Sequence, residues 1–337
     1  MSKEQTTIFK GIAILMMLAF HLFVGADIEE WCTPWVYVGD KPLVGMLARA
    51  CYPVTFFLIF TGYGLSYLFD RGRLTFVAQI RRLLRLYVFY WVVSIVFVSI
   101  GMVVDPANYP KSWLHVVANI TAVHCTYNGE AWFLFPYMLI CLSSPWLLRG
   151  AMAERHKWLK VVFVVFYAFC FLALKWLVGH HPESVLIRQA HHYVVLLFYF
   201  SLGVLLYRWI ALRGKVSLLP RPFSQPLVAG CLLLLLVAVK SCFNVSLIDG
   251  FYALTVIVLL LQFSWRGGVG RVLFHIGKHS TAMWLTHTYY AVYLFPCFIH
   301  APRYPVLIFL LLVAVSWLSA FPLEWLSQWV VARVFSK

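Results

Sequence analysis

The chain contains 337 residues, of which 63% are hydrophobic and only 12% are charged, and its mean hydropathy is +0.84. Soluble domains contain about half apolar and about a quarter charged residues, so this composition excludes an ordinary soluble protein and indicates a membrane protein. The formal net charge is +15, but the basic residues are spread over separate short segments. A nucleic-acid-binding protein would gather them on one soluble face with aromatic partners, so no nucleic-acid partner is expected.

Hydropathy along the chain predicts about ten apolar segments that could cross a bilayer. A lone segment in lipid must satisfy its backbone hydrogen bonds internally, so we expect helices rather than barrel strands. The predicted fold class is all-α, a polytopic membrane helix bundle that forms one integral-membrane domain over residues 1–337. The first segment lacks a small-residue cleavage site and should stay attached instead of acting as a signal peptide. The predicted spans lie near residues 8–26, 48–69, 84–104, 131–148, 159–178, 193–209, 226–242, 250–265, 280–298 and 305–325.

The orientation of the bundle follows from its charged residues, because cytoplasmic segments of membrane proteins are enriched in lysine and arginine. Basic residues gather in alternate connecting segments, at residues 71–85, 149–160, 208–221 and 266–278, and at both ends of the chain. These segments and both termini are therefore predicted to be cytoplasmic. Most acidic residues fall in the predicted extracytoplasmic segments: Asp27, Glu29, Glu30, Asp40, Asp105, Glu130, Glu183 and Asp249.

The first predicted span includes the sequence KGIAILMMLAFH, which begins at Lys10 and ends at His21. A separation of eleven residues places the two side chains within about 20° on one helix face and about 16 Å apart along the axis. Lys10 then lies at the cytoplasmic surface and His21 past the middle of the bilayer, where polar groups usually face a cavity, a partner or a pathway. Two structural interpretations stay open: His21 as a ring that bonds to a neighbouring helix, and Lys10 as an interfacial lysine.

The second and third spans add small, hydroxylated and basic residues. The segment YPVTFFLIFTGYGLSY, residues 52–67, contains glycines and hydroxyls that let helices approach closely, and Tyr63 within it is a candidate for substrate binding. At the start of the third span, RRLLR places Arg82 and Arg85 three residues apart on one helix face, with Arg81 adjacent. Guanidinium groups in this arrangement suit phosphate, although a topology role explains them equally well.

The fourth and ninth spans complete the set of candidate residues. Glu130 and Trp132 lie at an extracytoplasmic helix start, where an acid favours the helix N-terminus and a tryptophan favours the membrane interface. The functional interpretation gives Glu130 a catalytic role, bonding the acceptor or orienting a protonated ring, and lets Trp132 stack on a sugar. His287 lies about two turns inside the ninth span and is a candidate for substrate binding, although nearby threonines could satisfy it structurally.

Cysteine and histidine spacings do not match known metal sites. The eight cysteines lack spacings such as C-x-x-C. A disulfide between Cys32 and Cys125 stays open, because both residues are predicted to be extracytoplasmic. The histidine pairs at residues 180–181 and 191–192 favour solvated or glycan-facing loops, so no metal is expected.

Taken in order, these segments resemble the acyltransferase 3 family, bacterial membrane acyltransferases that O-acylate cell-surface polysaccharides and related glycans. The resemblance covers nearly the whole chain and rests on KGIAILMMLAFH, TFFLIFTGYG, RRLLR, WFL and GKHSTAMWLTHT. It implies that His21 is catalytic, that Arg82 and Arg85 help to hold the acyl donor, and that the late-span histidine region corresponds to His287. Lys10 stands where the family usually has arginine, which keeps the charge but removes the planar fork.

The resemblance and the residue positions together predict an O-acyltransferase of the bacterial plasma membrane. The protein would move an acyl group, most simply acetyl, from cytosolic acyl-CoA to a hydroxyl of a cell-surface polysaccharide or lipid-linked glycan. The CoA phosphates would dock on Lys10, Arg81, Arg82 and Arg85, and His21 would act as general base.

The expected partners are therefore acyl-CoA, a saccharide acceptor and membrane lipids. Acetyl-CoA would serve as a co-substrate, and no permanently bound cofactor is expected. The alternative function is a transporter of a glycan or lipid-linked sugar, which would also need polar groups near the midplane, although the sequence shows no internal duplication of the kind many transporters have.

Overall fold

The computed structural model describes residues 1–25, 28–152, 157–213, 219–243 and 248–335. Five charged residues used in the topology prediction lie outside the described residues: Asp27, Glu154, Arg155, Lys215 and Lys337. The described part is almost entirely helical, in agreement with the predicted all-α class. The orientation of the two termini stays a prediction.

Fifteen α-helices and one short antiparallel hairpin make up most of the regular structure of the described residues. The hairpin pairs Tyr37 with Pro42 and Val38 with Lys41. A 3-10 turn at Gly129–Phe133 precedes α7, another lies at Arg221–Ser224, and a π-helical turn at Tyr289–Tyr293 follows α13. In chain order the elements are α1 (Lys3–Phe23), α2 (Ile28–Trp31), β1 (Tyr37–Val38), β2 (Lys41–Pro42), α3 (Leu43–Arg49), α4 (Pro53–Asp70), α5 (Phe76–Val104), α6 (Trp113–Ile120), α7 (Leu134–Met152), α8 (Lys157–His180), α9 (Val185–Arg213), α10 (Pro226–Cys242), α11 (Asp249–Leu260), α12 (Gly268–Lys278), α13 (Ser280–Thr288), α14 (Pro296–His300) and α15 (Pro305–Phe335).

Six helical segments of the described residues are long and apolar enough to cross a membrane. They coincide with six of the predicted spans: Lys3–Phe23, Leu43–Asp70, Phe76–Val104, Gly129–Gly150, Val185–Ala211 and Pro305–Arg333. Three further predicted spans correspond to shorter apolar helical segments: Val164–His180, Pro226–Cys242 and Asp249–Leu260. The full number of spans therefore stays a prediction.

The start of α5 differs from the predicted start of the third span near residue 84. Thr75 is the N-cap of α5, because its hydroxyl accepts a hydrogen bond from the backbone N–H of Ala78. The helix therefore begins at Phe76, and the RRLLR segment lies within its first turns. Hydropathy alone misses this extension because the first turns of α5 carry the basic residues.

The predicted ninth span, residues 280–298, is not one continuous helix. Helix α13 ends at Thr288, the π-helical turn follows, and α14 begins at Pro296. A proline has no N–H to continue a helical ladder but fits the first turn of a new helix. The residues on both sides of the break are apolar or aromatic, so hydropathy does not reveal it.

Two pairs of glycines bring helices of the bundle into close contact. A Cβ atom at Gly11 of α1 or at Gly277 of α12 would collide with the backbone of the other helix. Gly62 of α4 and Gly203 of α9 form the same reciprocal arrangement. Small residues allow helix backbones to approach in lipid, where packing takes the place of the hydrophobic effect. These crossings fix α1 and α4, which supply two walls of the candidate site.

Candidate active site

A cavity of about 300 Å³ lies among α1, α4, α5, α13 and the 3-10 turn that leads into α7. Lys10 and His21 both line it, as their spacing on one helix face predicts. The cavity therefore runs along α1 for about 16 Å between these two side chains. Its other lining residues are Met17, Val54, Phe57, Thr61, Arg82, Leu83, Leu86, Glu130, Trp132, Phe133, Tyr137, Ser280, Thr281 and Trp284.

Two cations, Lys10 and Arg82, lie at one end of the cavity and are close enough to interact electrostatically. Arg82 Nη2 donates a hydrogen bond of 2.7 Å to the hydroxyl of Tyr137, a buried residue on α7. Within the described part of the chain, neither cation forms an ion pair with a carboxylate. Both charges are therefore available to an anionic ligand, and a guanidinium is well suited to phosphate.

A histidine–carboxylate pair lies at the other end of the cavity. Nε2 of His21 is 3.2 Å from Oε2 of Glu130, and the two side chains are 16% and 29% exposed. A ligand in the cavity can therefore reach both groups. When the carboxylate accepts the Nε2–H, the lone pair of the neutral imidazole is on Nδ1, so Nδ1 is the basic nitrogen.

Asn128 places Glu130 in this pair. The Asn128 side chain is the N-cap of the 3-10 turn, because its Oδ1 accepts the backbone N–H of Glu130 at 3.1 Å. The same amide donates to the carbonyl of Leu285 and accepts from the hydroxyl of Thr288, both at 2.9 Å. The 3-10 turn that carries Glu130 is therefore tied to α13.

Two tryptophans form walls near the carboxylate. Nε1 of Trp284 donates to the backbone carbonyl of Glu130 at 3.2 Å. The Trp132 ring packs against His192 of α9, with ring centroids 4.5 Å apart. The cavity thus presents aromatic surface beside its histidine–carboxylate pair.

His287 is brought to the site but does not lie on the cavity wall. Its side chain is fully buried, and its ring centroid is 5.1 Å from that of His21. The predicted contact of His287 with substrate stays a prediction. His287 contacts the candidate catalytic residue.

Three other candidate residues lie outside the cavity. Tyr63 packs on the other side of α4, where its hydroxyl accepts a hydrogen bond of 2.8 Å from the N-terminal amino group and its ring contacts Tyr207. Arg81, Arg82 and Arg85 are all exposed on α5, but of the three only Arg82 lines the cavity. A rotation of about 100° per residue explains why Arg81 points away, whereas Arg85 shares the face of Arg82 and lies about one turn further along α5.

The cysteines and histidine pairs form no second chemical centre in the residues that the structure describes. All eight cysteines are free, so Cys32 and Cys125 are not joined. No group of three or more histidine, cysteine, aspartate or glutamate side chains is assembled for a metal ion among these residues.

Sequence reasoning missed three residues that shape the site: Asn128, Tyr137 and Trp284. A signal existed for Asn128, because asparagine before a helix start is a strong N-cap residue. Tyr137 and Trp284 read as ordinary aromatic residues of apolar spans. Their hydrogen bonds depend on neighbouring helices, which a single sequence does not reveal.

The fold and the site together define a multi-pass membrane protein whose cavity connects two cations, neither of which has a carboxylate partner among the described residues, with a histidine–carboxylate pair. The chain belongs to the acyltransferase 3 family, since the acyltransferase domain of that family matches residues 7–325. No curated protein and no solved structure matches the chain.

Proposed function

We propose that this protein transfers an acyl group, most simply acetyl, from cytosolic acyl-CoA to a hydroxyl of a cell-surface polysaccharide or lipid-linked glycan in the bacterial plasma membrane. Membership of an acyltransferase family supports the reaction type. The observation that carries the proposal is the single cavity in which Lys10 and Arg82 lie at one end and His21 with Glu130 at the other.

The cationic end suits the acyl donor. A CoA thioester has a nucleotide rich in phosphate and a long, slim arm that ends in the acyl group. Lys10 and Arg82 would hold a phosphate at the start of the arm, because both charges lack a carboxylate partner among the described residues. The distance of about 16 Å along α1 is comparable to the length of such an arm, so the thioester would reach His21.

The histidine–carboxylate end suits the transfer step. His21 would take the proton from the acceptor hydroxyl as its oxygen attacks the thioester carbonyl carbon. The carbon–sulfur bond would then break, and the CoA thiolate would receive a proton from His21 as it leaves. Glu130 would hold the imidazole and balance the positive charge that forms on it, as a carboxylate does beside a catalytic histidine in hydrolases.

The acceptor would enter beside Trp132. This residue belongs to the same 3-10 turn as Glu130, and it lies on the cavity wall. A flat aromatic face offers apolar contact to one face of a sugar ring. Direct transfer is favoured over a cysteine-linked intermediate, since no cysteine lies on the cavity lining.

The test uses purified protein in liposomes with acetyl-CoA labelled in the acetyl group and a saccharide acceptor. We expect label to move to the acceptor with release of free CoA. General-base catalysis contributes about 10²–10⁴-fold, so His21→Ala should lower the rate by that factor while the protein remains inserted. His181→Ala, at an exposed residue, is the matched control and should leave the rate unchanged.

The same assay separates the proposal from the alternative of a transporter. A transporter would move saccharide across the liposome membrane without consuming the thioester. Near-normal acetyl transfer by His21→Ala would exclude the assigned base, and saccharide movement without CoA release would exclude the acyltransferase.

A further inference from the structure

The fully buried ring of His287 has a fixed protonation pattern. Its Nδ1 lies 2.8 Å from the carbonyl oxygen of Trp284 and 3.1 Å from that of Met283. Carbonyl oxygens only accept hydrogen bonds, so Nδ1 must carry a hydrogen. The neutral ring therefore has its lone pair on Nε2.

This Nε2 atom is buried and has no hydrogen-bond partner among the residues that the structure describes. Buried polar atoms in proteins are almost always paired, and an unpaired one is costly. The ring that lies beside it belongs to His21, with centroids 5.1 Å apart and planes inclined by 48°. The ring that carries the unused lone pair thus packs against the ring of the proposed catalytic base.

Asn128 joins the two segments that carry His287 and Glu130, two residues that contact His21. Asn128 bonds to Leu285 and Thr288 of α13, the helix of His287, and also to the backbone N–H of Glu130. Both neighbours of His21 therefore belong to segments that the same amide joins. Hydrogen bonds that join both segments in this way fix the position of a catalytic ring before substrate binds.

We propose that His287 is a positioning residue that packs against the His21 ring and stabilises the protonated form of His21 through the electrostatic effect of its Nε2 lone pair. This inference rests on the proposed function, since it assigns a partner to the proposed base. The bare nitrogen is the negative end of the imidazole dipole, and its orientation is set in advance by the two carbonyl bonds. It therefore favours the positive charge that His21 acquires when it takes a proton.

Two variants of similar size separate this role from a packing role. The side-chain amide of asparagine in His287→Asn can occupy the position of Nδ1 and keep the hydrogen bond to the helix carbonyls. This variant has no atom in the position of Nε2. The amide oxygen of His287→Gln reaches the place of Nε2 and can restore an acceptor there. A packing role predicts no advantage of glutamine over asparagine at equal thermal stability.

We expect His287→Asn to lower kcat by roughly 10²-fold with an unchanged KM for acetyl-CoA, because a small displacement of a catalytic group has that effect. His287→Gln should recover most of that loss. Wild-type kcat in His287→Asn, or equal losses in both variants, would overturn the proposal.

Nitrogen NMR of the wild-type protein with labelled histidine tests the proposal even if both variants fail to insert. The His287 signals, assigned by transfer from the carbonyl carbon of Trp284, should show a protonated Nδ1 and a bare Nε2. A protonated Nε2 would overturn the proposal. Absence of acetyl transfer in the wild-type protein would count against the proposed function alone, because the NMR result does not depend on it.

Discussion

Two of the polar pairs in the part of the helix bundle that the structure describes differ in how much of each is accessible. Nζ of Lys240 is 2.7 Å from Oδ1 of Asp249, and both side chains are 2% exposed. The His21–Glu130 pair has a separation of 3.2 Å with 16% and 29% exposure. The first pair joins the end of α10 to the start of α11, whereas the second lines the cavity.

The difference teaches that a polar group within an apolar span is not by itself a functional signal. Lys240 and Asp249 neutralise each other where both side chains are almost fully buried, so the pair is a structural contact between α10 and α11. His21 and Glu130 are paired but remain accessible, which leaves a proton acceptor for chemistry. Accessibility, in addition to depth in the span, separates the two cases.

The largest effect is expected when the buried Lys240–Asp249 pair is broken. Lys240→Ala leaves the Asp249 carboxylate buried without its partner, and loss of one member of a buried pair costs about 3–5 kcal/mol. We expect a much lower yield of folded protein and a lower midpoint of thermal unfolding in detergent. Acetyl transfer per folded molecule should remain close to that of the wild-type protein.

The double variant Lys240→Met with Asp249→Leu is the control. Replacement of a buried ion pair by apolar residues of similar volume is often neutral or stabilising, so the midpoint should return to about the wild-type value or above it. Equal instability of the single and double variants would show that the ion pair is not what Lys240 contributes.

A smaller effect, confined to catalysis, is expected from the accessible pair. Glu130→Gln keeps the size of the side chain but removes the charge beside His21. A hydrogen bond to a charged group contributes about 1.5–3 kcal/mol, so kcat should fall by about 10- to 100-fold. KM for acetyl-CoA should change little, because the proposed docking residues for the donor, Lys10 and Arg82, lie at the other end of the cavity.

Thermal unfolding distinguishes this result from the first prediction. Glu130→Gln should unfold at nearly the wild-type temperature, since Asn128 holds the turn through the backbone N–H of Glu130 and not through its carboxylate. A large loss of stability without a loss of kcat would show that Glu130, like Asp249, has a structural role and not a catalytic one.

The contrast between these pairs also marks what a single sequence can predict. Composition and hydropathy were sufficient for the helical membrane class, and the spacing of Lys10 and His21 was sufficient to place both on one wall. Hydropathy did not reveal the break after α13, because apolar residues continue through it, although Pro296 is a sequence signal for the start of a new helix. That His287 and Tyr63 do not line this cavity could not be read from the sequence, because the sequence gives depth and rotation on one helix, whereas contact with a cavity depends on which helix is the neighbour.

The smallest effects are expected from substitutions of the arginines of α5. These substitutions test whether the family resemblance or the cavity geometry better predicts which arginines hold the donor. The resemblance implies that Arg82 and Arg85 both hold the donor, but only Arg82 lines the cavity and is fixed by Tyr137. Arg82→Gln should raise KM for acetyl-CoA by about tenfold with kcat nearly unchanged, because it removes one charged hydrogen bond to the donor.

Arg85→Gln makes the same chemical change one helical turn further along α5. A cavity of about 300 Å³ is too small for a complete CoA molecule, so the nucleotide end would lie outside it, near the exposed arginines. Attraction between exposed charges contributes about 0.2–1 kcal/mol and is screened by salt. KM should therefore rise by up to about fivefold at low ionic strength, and this rise should disappear in high salt, whereas the effect of Arg82→Gln should persist. If both variants respond equally at every salt concentration, Arg85 must enter the site when the donor binds, and the cavity wall at α5 must move to admit it.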